Sequence, residues 1–301
     1  MIWFASVLSA YALLAAVAVG DKFLLARRLP DPALYAFLVG LLGSLAVLLS
    51  PWLGFPVPDP AGLGLAILSG ILFVLASYFL YIGLRREEVS RFIPAVGGLV
   101  AVFTLMFAAG LSLRTVSPFG REFWALLILV AGSFELSARR GKAAVAYVVS
   151  AAAFFGLSFA TAKAAFLVQS FWSGFLWMRL GGGLAAVLLF LALPGLRRGI
   201  REGFQRPPAV PGTPLLFVGN QALGALGIVL QNFAVYLVPA LYLPFVNALQ
   251  GVQYVFLILF AAILGRQVPD LAEEGGQELV RRVVGILLVA LGLLLLAFTL
   301  Q

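Results

Sequence analysis

The sequence of 301 residues contains no cysteine and no histidine, and only 11% of its residues are charged. The first two absences exclude disulfides, thiolate nucleophiles, imidazole bases and His/Cys metal sites, so we expect neither a metal nor a cofactor. The scarcity of charge, beside 63% hydrophobic residues, excludes a soluble domain, because no soluble core could bury so much apolar surface. The composition therefore predicts an integral membrane protein whose surroundings are the lipid bilayer.

Apolar runs separated by proline, glycine and charge clusters indicate ten membrane-spanning helices joined by short loops. Each run is close to the roughly 20 residues that a helix needs to cross a bilayer. The predicted spans, numbered in chain order, cover residues 2–26, 33–51, 61–83, 90–111, 120–137, 143–168, 172–193, 213–236, 239–264 and 282–300.

The two halves of the chain resemble each other, as two copies of one five-span unit would. When the chain is aligned with itself, Lys22 in the first span falls on Lys163 in the sixth, and Gly98 falls on Gly251. The alternative is chance similarity, because a few apolar residue types dominate both halves. Since five is odd, a second copy in series lies upside down relative to the first. We predict an all-α integral membrane protein of ten helices, built as inverted five-helix repeats over residues 1–138 and 139–301.

Basic residues are distributed unevenly between the two sides of the predicted membrane. Of the 20 lysines and arginines, 15 lie on one side, two on the other, and three inside spans. By the positive-inside rule the basic side faces the cytoplasm, which places both termini outside. The net charge of +8 then needs no nucleic-acid partner, and we expect the chain in the inner membrane of a cell.

A short motif in the sixth and seventh spans resembles a known family. The run Phe155–Phe159, followed by Lys163 and then by Arg179, is similar to the aromatic-Gly-x-Ser/Asn-Phe…Lys…Arg pattern of EamA-type carriers in the drug/metabolite transporter superfamily. The resemblance implies ten spans, an inverted repeat and export of small metabolites. The chain departs from the family where a mid-span proline is frequent, because it carries Gly98 and Gly251 there.

Two basic side chains lie inside predicted spans at similar depths. Lys163 comes near the end of the sixth span and Arg179 near the start of the seventh, about 8 to 10 Å from the same face at 1.5 Å per residue. Each needs a partner or a purpose, because inserting such a charge costs at least about 2.5 kcal/mol. One interpretation is a site for a carboxylate, phosphate or sulfonate of a substrate. The other is structural: Lys163 reaches towards the interface, and Arg179 pairs with Glu122 or Asp59.

Asp21 and Lys22 are adjacent near the cytoplasmic end of the first span. We name both as candidates for coupling transport to an ion gradient, and Asp21 is the acidic group placed where proton coupling would need one. The alternative is that Asp21 anchors the end of its helix.

Uncharged polar side chains concentrate in the eighth and ninth spans at helical spacing. Such stripes either line a water-filled pathway or join helices through hydrogen bonds worth about 0.6 kcal/mol each. Tyrosines of the third span and a tryptophan of the seventh would complete a partly aromatic wall. The candidate substrate-binding residues are Lys163, Arg179, Asn220, Gln231, Asn247, Gln250, Tyr254, Tyr78, Tyr81 and Trp177.

Glycines lie within the fourth and ninth spans, at Gly97, Gly98 and Gly251. Glycine permits close approach and bending of membrane helices. These glycines therefore either pack helices tightly or serve as the bending points of two gates.

Together these features favour a monomeric secondary transporter for a small anionic or zwitterionic, partly apolar metabolite, such as an amino acid or organic acid. We expect export, by alternating access. The alternative is a translocase for a phosphate-bearing lipid, which a lateral opening towards the bilayer would favour. An intramembrane enzyme is disfavoured because no serine has a histidine partner, and a channel because no charged ring is evident.

Overall fold

The computed structural model describes residues 2–87, 89–113, 120–135, 142–205 and 212–264, with single positions between 284 and 295. The secondary structure of these residues is helical throughout. The α-helices, numbered in chain order, are α1 (Ile2–Arg27), α2 (Pro32–Ser44), α3 (Ser50–Leu53), α4 (Pro60–Arg86), α5 (Val89–Gly110), α6 (Arg121–Glu135), α7 (Lys142–Phe166), α8 (Phe171–Ala192), α9 (Pro194–Gln205), α10 (Thr213–Leu237), α11 (Leu243–Ala248) and α12 (Gln250–Leu264).

Eight helical segments in the described residues are long and apolar enough to cross a membrane. Two of them are composite: a 3-10 turn, Leu45–Leu49, joins α2 to α3, and Ala240–Leu257 runs through α11 into α12. The protein is therefore an all-helical, multi-pass membrane protein, which confirms the predicted all-α membrane class, whereas ten helices in two inverted repeats stay a prediction.

Most predicted spans agree with observed helices to within three residues at each end. The predicted fifth span corresponds to α6, whose described apolar part, Phe123–Gly132, is shorter than the eight segments. The predicted tenth span, 282–300, lies largely outside the described residues, and the positions described there are helical.

Aspartate side chains and prolines define where two of the spans begin. Asp31 precedes α2 and accepts a hydrogen bond from the Ala33 backbone N–H at 2.9 Å. Asp59 precedes α4 and accepts from the N–H groups of Ala61 and Gly62 at 3.1 Å each. In both cases proline is the first helical residue, where its missing N–H costs nothing.

Helix α4 packs closely against α7 and α8, and small residues make this possible. A Cβ added to Gly70 would lie 1.9 Å from the Met178 carbonyl oxygen, and one added to Gly181 would lie 2.2 Å from that of Ile67. On the α7 side, Ser69 and Ser158 each donate to the other's backbone carbonyl, at 2.9 and 2.8 Å. Close packing and interhelical hydrogen bonds of this kind hold membrane helices together.

Helix α9 was not predicted, because the sequence analysis treated its basic residues as a loop. Leu196 is buried, whereas Arg197, Arg198 and Arg201 are exposed. An apolar face beside a basic face is typical of a helix that lies along the membrane interface rather than across it.

Candidate functional site

A cavity of about 110 Å³ lies among α1, α4, α7, α10 and α12, which come from both halves of the chain. We call it the central cavity. Its apolar wall includes Leu14, Phe73, Phe155 and Phe159. Its polar lining residues are Tyr11, Asp21, Ser77, Tyr81, Gln221, Gln231, Gln250 and Gln253.

Asp21 is the acidic residue of the central cavity, and 5% of its surface is exposed. Its Oδ1 accepts hydrogen bonds from the Tyr35 hydroxyl at 2.5 Å and from the Asn220 side-chain amide at 2.7 Å. The Gln221 amide donates to the same hydroxyl at 3.3 Å, and Tyr81 packs edge-on against the Tyr35 ring. Within the described residues no cation pairs with Asp21, so neutral donors from α2 and α10 surround its carboxyl group.

A second polar cluster lies further along α1 and α10. The Tyr11 hydroxyl donates to the Val246 carbonyl at 2.8 Å and accepts from Gln231 at 3.3 Å. Beside it, Asn247 donates to the Thr104 hydroxyl at 2.8 Å. These bonds connect α1, α5, α10 and α11 across the middle of the molecule.

Two buried oxygens near this cluster have no hydrogen-bond partner in the described residues, Asn247 Oδ1 and Gln253 Oε1. Gln253 lines the central cavity and is 3% exposed. An unsatisfied buried acceptor costs about 1 to 3 kcal/mol, so a ligand donor or a water that reaches it would be bound favourably.

A groove of about 510 Å³ adjoins the central cavity and separates α10 from α2 and α8. We call it the lateral groove. Val39, Gln221 and Ile228 line both spaces, so the two are adjacent. The remaining lining of the groove is almost wholly apolar and includes Leu42, Ala46, Leu49, Phe175, Ala222, Ala225, Leu226 and Val229.

Arg179 is the charged residue in the described lining of the lateral groove. Its guanidinium lies over the rings of Phe73 and Phe175, 5.0 and 5.2 Å from their centroids. Its Nε is buried and makes no hydrogen bond to any described residue. Asp59, one of the two acids that the sequence offered as its partner, instead caps α4; the side chain of Glu122, the other, lies outside the described residues.

Lys163 is buried at the end of α7, apart from the aromatic rings that hold Arg179. Its ammonium group donates to the carbonyls of Val235, Tyr236 and Val238, at 3.1, 3.0 and 2.5 Å. These are carbonyls at the C-terminal end of α10, where a cation satisfies acceptors that the helix leaves open. The structure therefore gives the two cations different surroundings.

Lys22 makes a similar contact elsewhere in the molecule. Its ammonium donates to the carbonyls of Leu84 and Glu87, at 2.9 and 2.8 Å, at the C-terminal end of α4. Each of these lysines thus lies near the end of one spanning helix and caps the end of another.

The other predicted binding residues are distributed as follows. Asn220, Gln231, Gln250 and Tyr81 lie at or beside the central cavity. Asn247 lies in the second polar cluster.

Tyr78 is half-buried next to Phe79. Trp177 stacks on Phe55 at 4.4 Å and donates to the Pro56 carbonyl at 3.2 Å, so it holds the turn that follows α3. The Tyr254 side chain lies outside the described residues.

The predicted gate glycines lie in buried parts of α5 and α12. A Cβ on Gly97 would lie 2.8 Å from the side chain of Gln250, which explains the absence of a side chain there as close packing. Gly98 and Gly251 are buried too. A proline that the sequence analysis did not single out, Pro94, lies inside α5, where it removes a backbone hydrogen bond.

Several polar residues of the site were not predicted from the sequence: Tyr11, Gln221 and Gln253, which line the central cavity, and Tyr35, which bonds Asp21. A polar side chain in an apolar span was the available signal for each. Gln221 is adjacent to the predicted Asn220, and the two side chains lie on either side of the Asp21–Tyr35 hydrogen bond.

No acidic, histidine or cysteine side chains gather in groups of three in the described ranges, so we identify no site there for a metal ion.

No family model and no curated protein matches this chain. In three dimensions it is similar to a solved structure described as a crystal structure of a protein, at a TM-score of 0.63 and 17% sequence identity. The match covers 99% of this chain and 96% of that one. At this identity the likeness shows that the two chains share a fold.

Proposed function

We propose that the protein is a secondary transporter that moves a small anionic or zwitterionic, partly apolar metabolite by alternating access. The observation that carries the proposal is the central cavity, which combines a buried carboxylate with amides and aromatic rings and adjoins a groove whose arginine has no hydrogen-bond partner among the described residues. Ionisable groups inside membrane spans ordinarily mark substrate or ion pathways.

The proposal includes two inverted five-helix repeats, and the lysine contacts support them. The sequence alignment equates Lys22 with Lys163, α1 with α7 and α4 with α10. Lys22 of α1 caps the end of α4, and Lys163 of α7 caps the end of α10. Two corresponding side chains therefore make corresponding contacts in the two halves, as a duplication predicts.

Under this repeat, the contact between α4 and α8 corresponds to the contact between α10 and α2. The first is closed through Gly70 and Gly181. In the second, α10 contacts α2 at Tyr35, whose ring packs on Phe217 and whose hydroxyl accepts a hydrogen bond from Gln221. Further along, the lateral groove separates the two helices. Corresponding interfaces in different states are what alternating access requires, because the opposite state would exchange them.

The charged residues suggest the class of substrate. Arg179 can hold a carboxylate by two parallel hydrogen bonds, which its contacts with Phe73 and Phe175 leave open. Asp21 would bind either the coupling proton or the ammonium group of a zwitterion. Export, as in the EamA-type carriers that the motif resembles, remains our proposal for direction.

The second candidate function is translocation of a phosphate-bearing lipid. One observation favours it: exposed side chains, such as Leu226 near the middle of α10, line the lateral groove.

A ligand screen tests the proposed function. Purified protein is screened by thermal shift against amino acids, organic acids and nucleotides, and each hit is then tested for exchange across proteoliposomes. We expect carboxylate ligands to raise the melting temperature of the parent and to lose this effect in Arg179→Gln. Equal stabilisation of parent and variant would contradict the anion site, and hits that bind without exchange would contradict transport.

Orientation has its own test, since the chain has no cysteine of its own. A cysteine introduced at the exposed Arg201 of α9 should be protected from impermeant thiol reagents in intact cells if the basic side is cytoplasmic. Labelling from outside would reverse the proposed topology in the inner membrane.

A further inference from the structure

The lateral groove opens towards lipid rather than towards water. Leu226, near the middle of α10, is 60% exposed, and Leu49 on the opposite wall is 47% exposed. Ala222 and Ala225, also near the middle of α10, are exposed small residues of the same wall. Because Ala222, Ala225 and Leu226 lie near the middle of a helix long and apolar enough to span the membrane, this side of the opening faces acyl chains.

The groove has a polar end and an apolar end. Arg179 and Gln221 lie near its boundary with the central cavity, which Gln221 also lines. Away from them, Ala46, Leu49 and Val229 offer only apolar surface, up to Trp172 near the start of α8. Trp172 lies seven positions before Arg179, which corresponds to about 10 Å along a helix.

Arg179 is unusual for a membrane arginine, because no acid or carbonyl of the described residues hydrogen-bonds its guanidinium. Aromatic faces attract it, but its buried Nε lacks an acceptor. A buried donor without an acceptor is costly, and a charged one more so. An anionic headgroup would supply the acceptor and the charge together.

We propose that the lateral groove binds a single-chain amphiphile with a carboxylate headgroup, which enters from the bilayer. The headgroup binds Arg179, and the tail lies between α2 and α10 towards Trp172. The volume of about 510 Å³ lies within the range of sites for one drug-sized ligand. The inference rests on the proposed function in one respect: this amphiphile is the class of substrate that the transporter carries.

Tryptophan quenching by a brominated fatty acid tests the proposal. The probe is 9,10-dibromostearate, whose bromines near the middle of the chain would lie beside the Trp172 indole when the carboxylate is on Arg179. We expect saturable quenching of the protein in nanodiscs, and loss of the saturable part in Trp172→Phe. Trp124, which is 57% exposed and lies outside the groove lining, is the matched control, so Trp124→Phe should keep it.

Variants separate the headgroup contact from the tail contact. Arg179→Gln should raise the apparent Kd about ten-fold or more, because the headgroup would lose its charge-assisted hydrogen bonds. Ala225→Phe fills the groove and should abolish saturation, whereas Leu215→Phe, at an exposed position of α10 outside the groove, should not. The methyl ester of the probe, which has no carboxylate, should bind the parent protein with the same raised Kd that the acid shows for Arg179→Gln.

Several outcomes would overturn the inference. Equal Kd values for the acid and the methyl ester would contradict the proposed contact between the headgroup and Arg179. Full competition by succinate, which has no apolar tail, would show that the tail does not contribute to binding. Equal saturable quenching by dibrominated phosphatidylglycerol would identify a diacyl lipid as the occupant. If Ala225→Phe still exchanges substrate in proteoliposomes, the groove is not the substrate site, but the proposed transport function stands. If the probe binds in the groove and no exchange occurs, the transport function is refuted and the binding site stands.

Discussion

Asp21 is the residue whose surroundings bear most directly on energy coupling. Its carboxyl group is buried at the edge of the central cavity, where Tyr35 and Asn220 donate to one oxygen. Neutral donors can stay in place whether or not the carboxyl carries a proton, whereas a paired cation would hold it charged. A carboxyl in such surroundings is suited to bind and release a proton during a transport cycle.

We expect Asp21→Asn to abolish the dependence of transport on a pH gradient while the protein still folds, because asparagine fits the same space. Proteoliposome flux of an identified substrate, measured with and without an imposed gradient, checks this. Asp59→Asn is the matched control, since asparagine caps a helix about as well as aspartate. Gradient-driven flux that persists in Asp21→Asn would exclude this carboxyl as the coupling group.

Lys163 illustrates a different use of an intramembrane charge. Because its ammonium satisfies three carbonyls at the end of α10, Lys163→Met should lower thermal stability, with a loss of about 1 to 3 kcal/mol for the unsatisfied acceptors. Ligand affinity should change little. If the variant instead lost ligand binding at an unchanged melting temperature, Lys163 would belong to the binding site.

Ionisable residues inside the spans could be identified from the sequence, but their hydrogen-bond partners could not. Asp21 and Lys163 stand out as charges in apolar runs, so their importance was readable. The roles of the Tyr35 hydroxyl and the Gln221 amide could not be predicted. Each lies on a helix whose orientation about its own axis is set by packing against other helices rather than by its own composition. Arg179 was recognised as an intramembrane cation, with Glu122 or Asp59 as possible partners, but the aromatic rings around it could not be predicted.

At the scale of helices, glycine decides which interfaces are closed. Gly70 and Gly181 let the backbones of α4 and α8 meet, and no side chain fits at either position. Across the lateral groove, the small residues Gly43, Ala222 and Ala225 leave room for α2 and α10 to approach each other in the same way.

Gly70→Ala should therefore destabilise the protein by about 1 to 3 kcal/mol or more, because the new methyl group would overlap the Met178 carbonyl. The melting temperature checks this. Gly64→Ala, on the same helix with nothing within 4 Å of its added Cβ, should be neutral or slightly stabilising. Equal effects of the two substitutions would show that α4 and α8 are not in backbone contact.

Helix boundaries were largely predictable, since proline, glycine and aspartate mark them in the sequence. Helix α9 was missed, because its basic residues interrupt any apolar run in the sequence. Leu196 is buried in it, whereas Arg197, Arg198 and Arg201 are exposed.

For the whole molecule, the proposed cycle exchanges the states of two interfaces around one cavity. Asp21, Gln231 and Gln253 would stay at the centre, while α10 closes on α2 and α8 separates from α4. The small exposed residues of the lateral groove would then allow α2 and α10 to make close backbone contact, as Gly70 and Gly181 allow α4 and α8 to do in this structure.

Paired distance measurements by double electron-electron resonance test this claim most directly. One pair of spin labels, at Leu49 and Leu226, spans the lateral groove, and the other, at the exposed Leu68 and Leu184, spans the closed contact of α4 with α8. In proteoliposomes, on addition of a small carboxylate found in the thermal-shift screen, which has no tail to occupy the groove, the first distance should shorten as the second lengthens. Distances that stay fixed, or that lengthen and shorten together, would contradict alternating access.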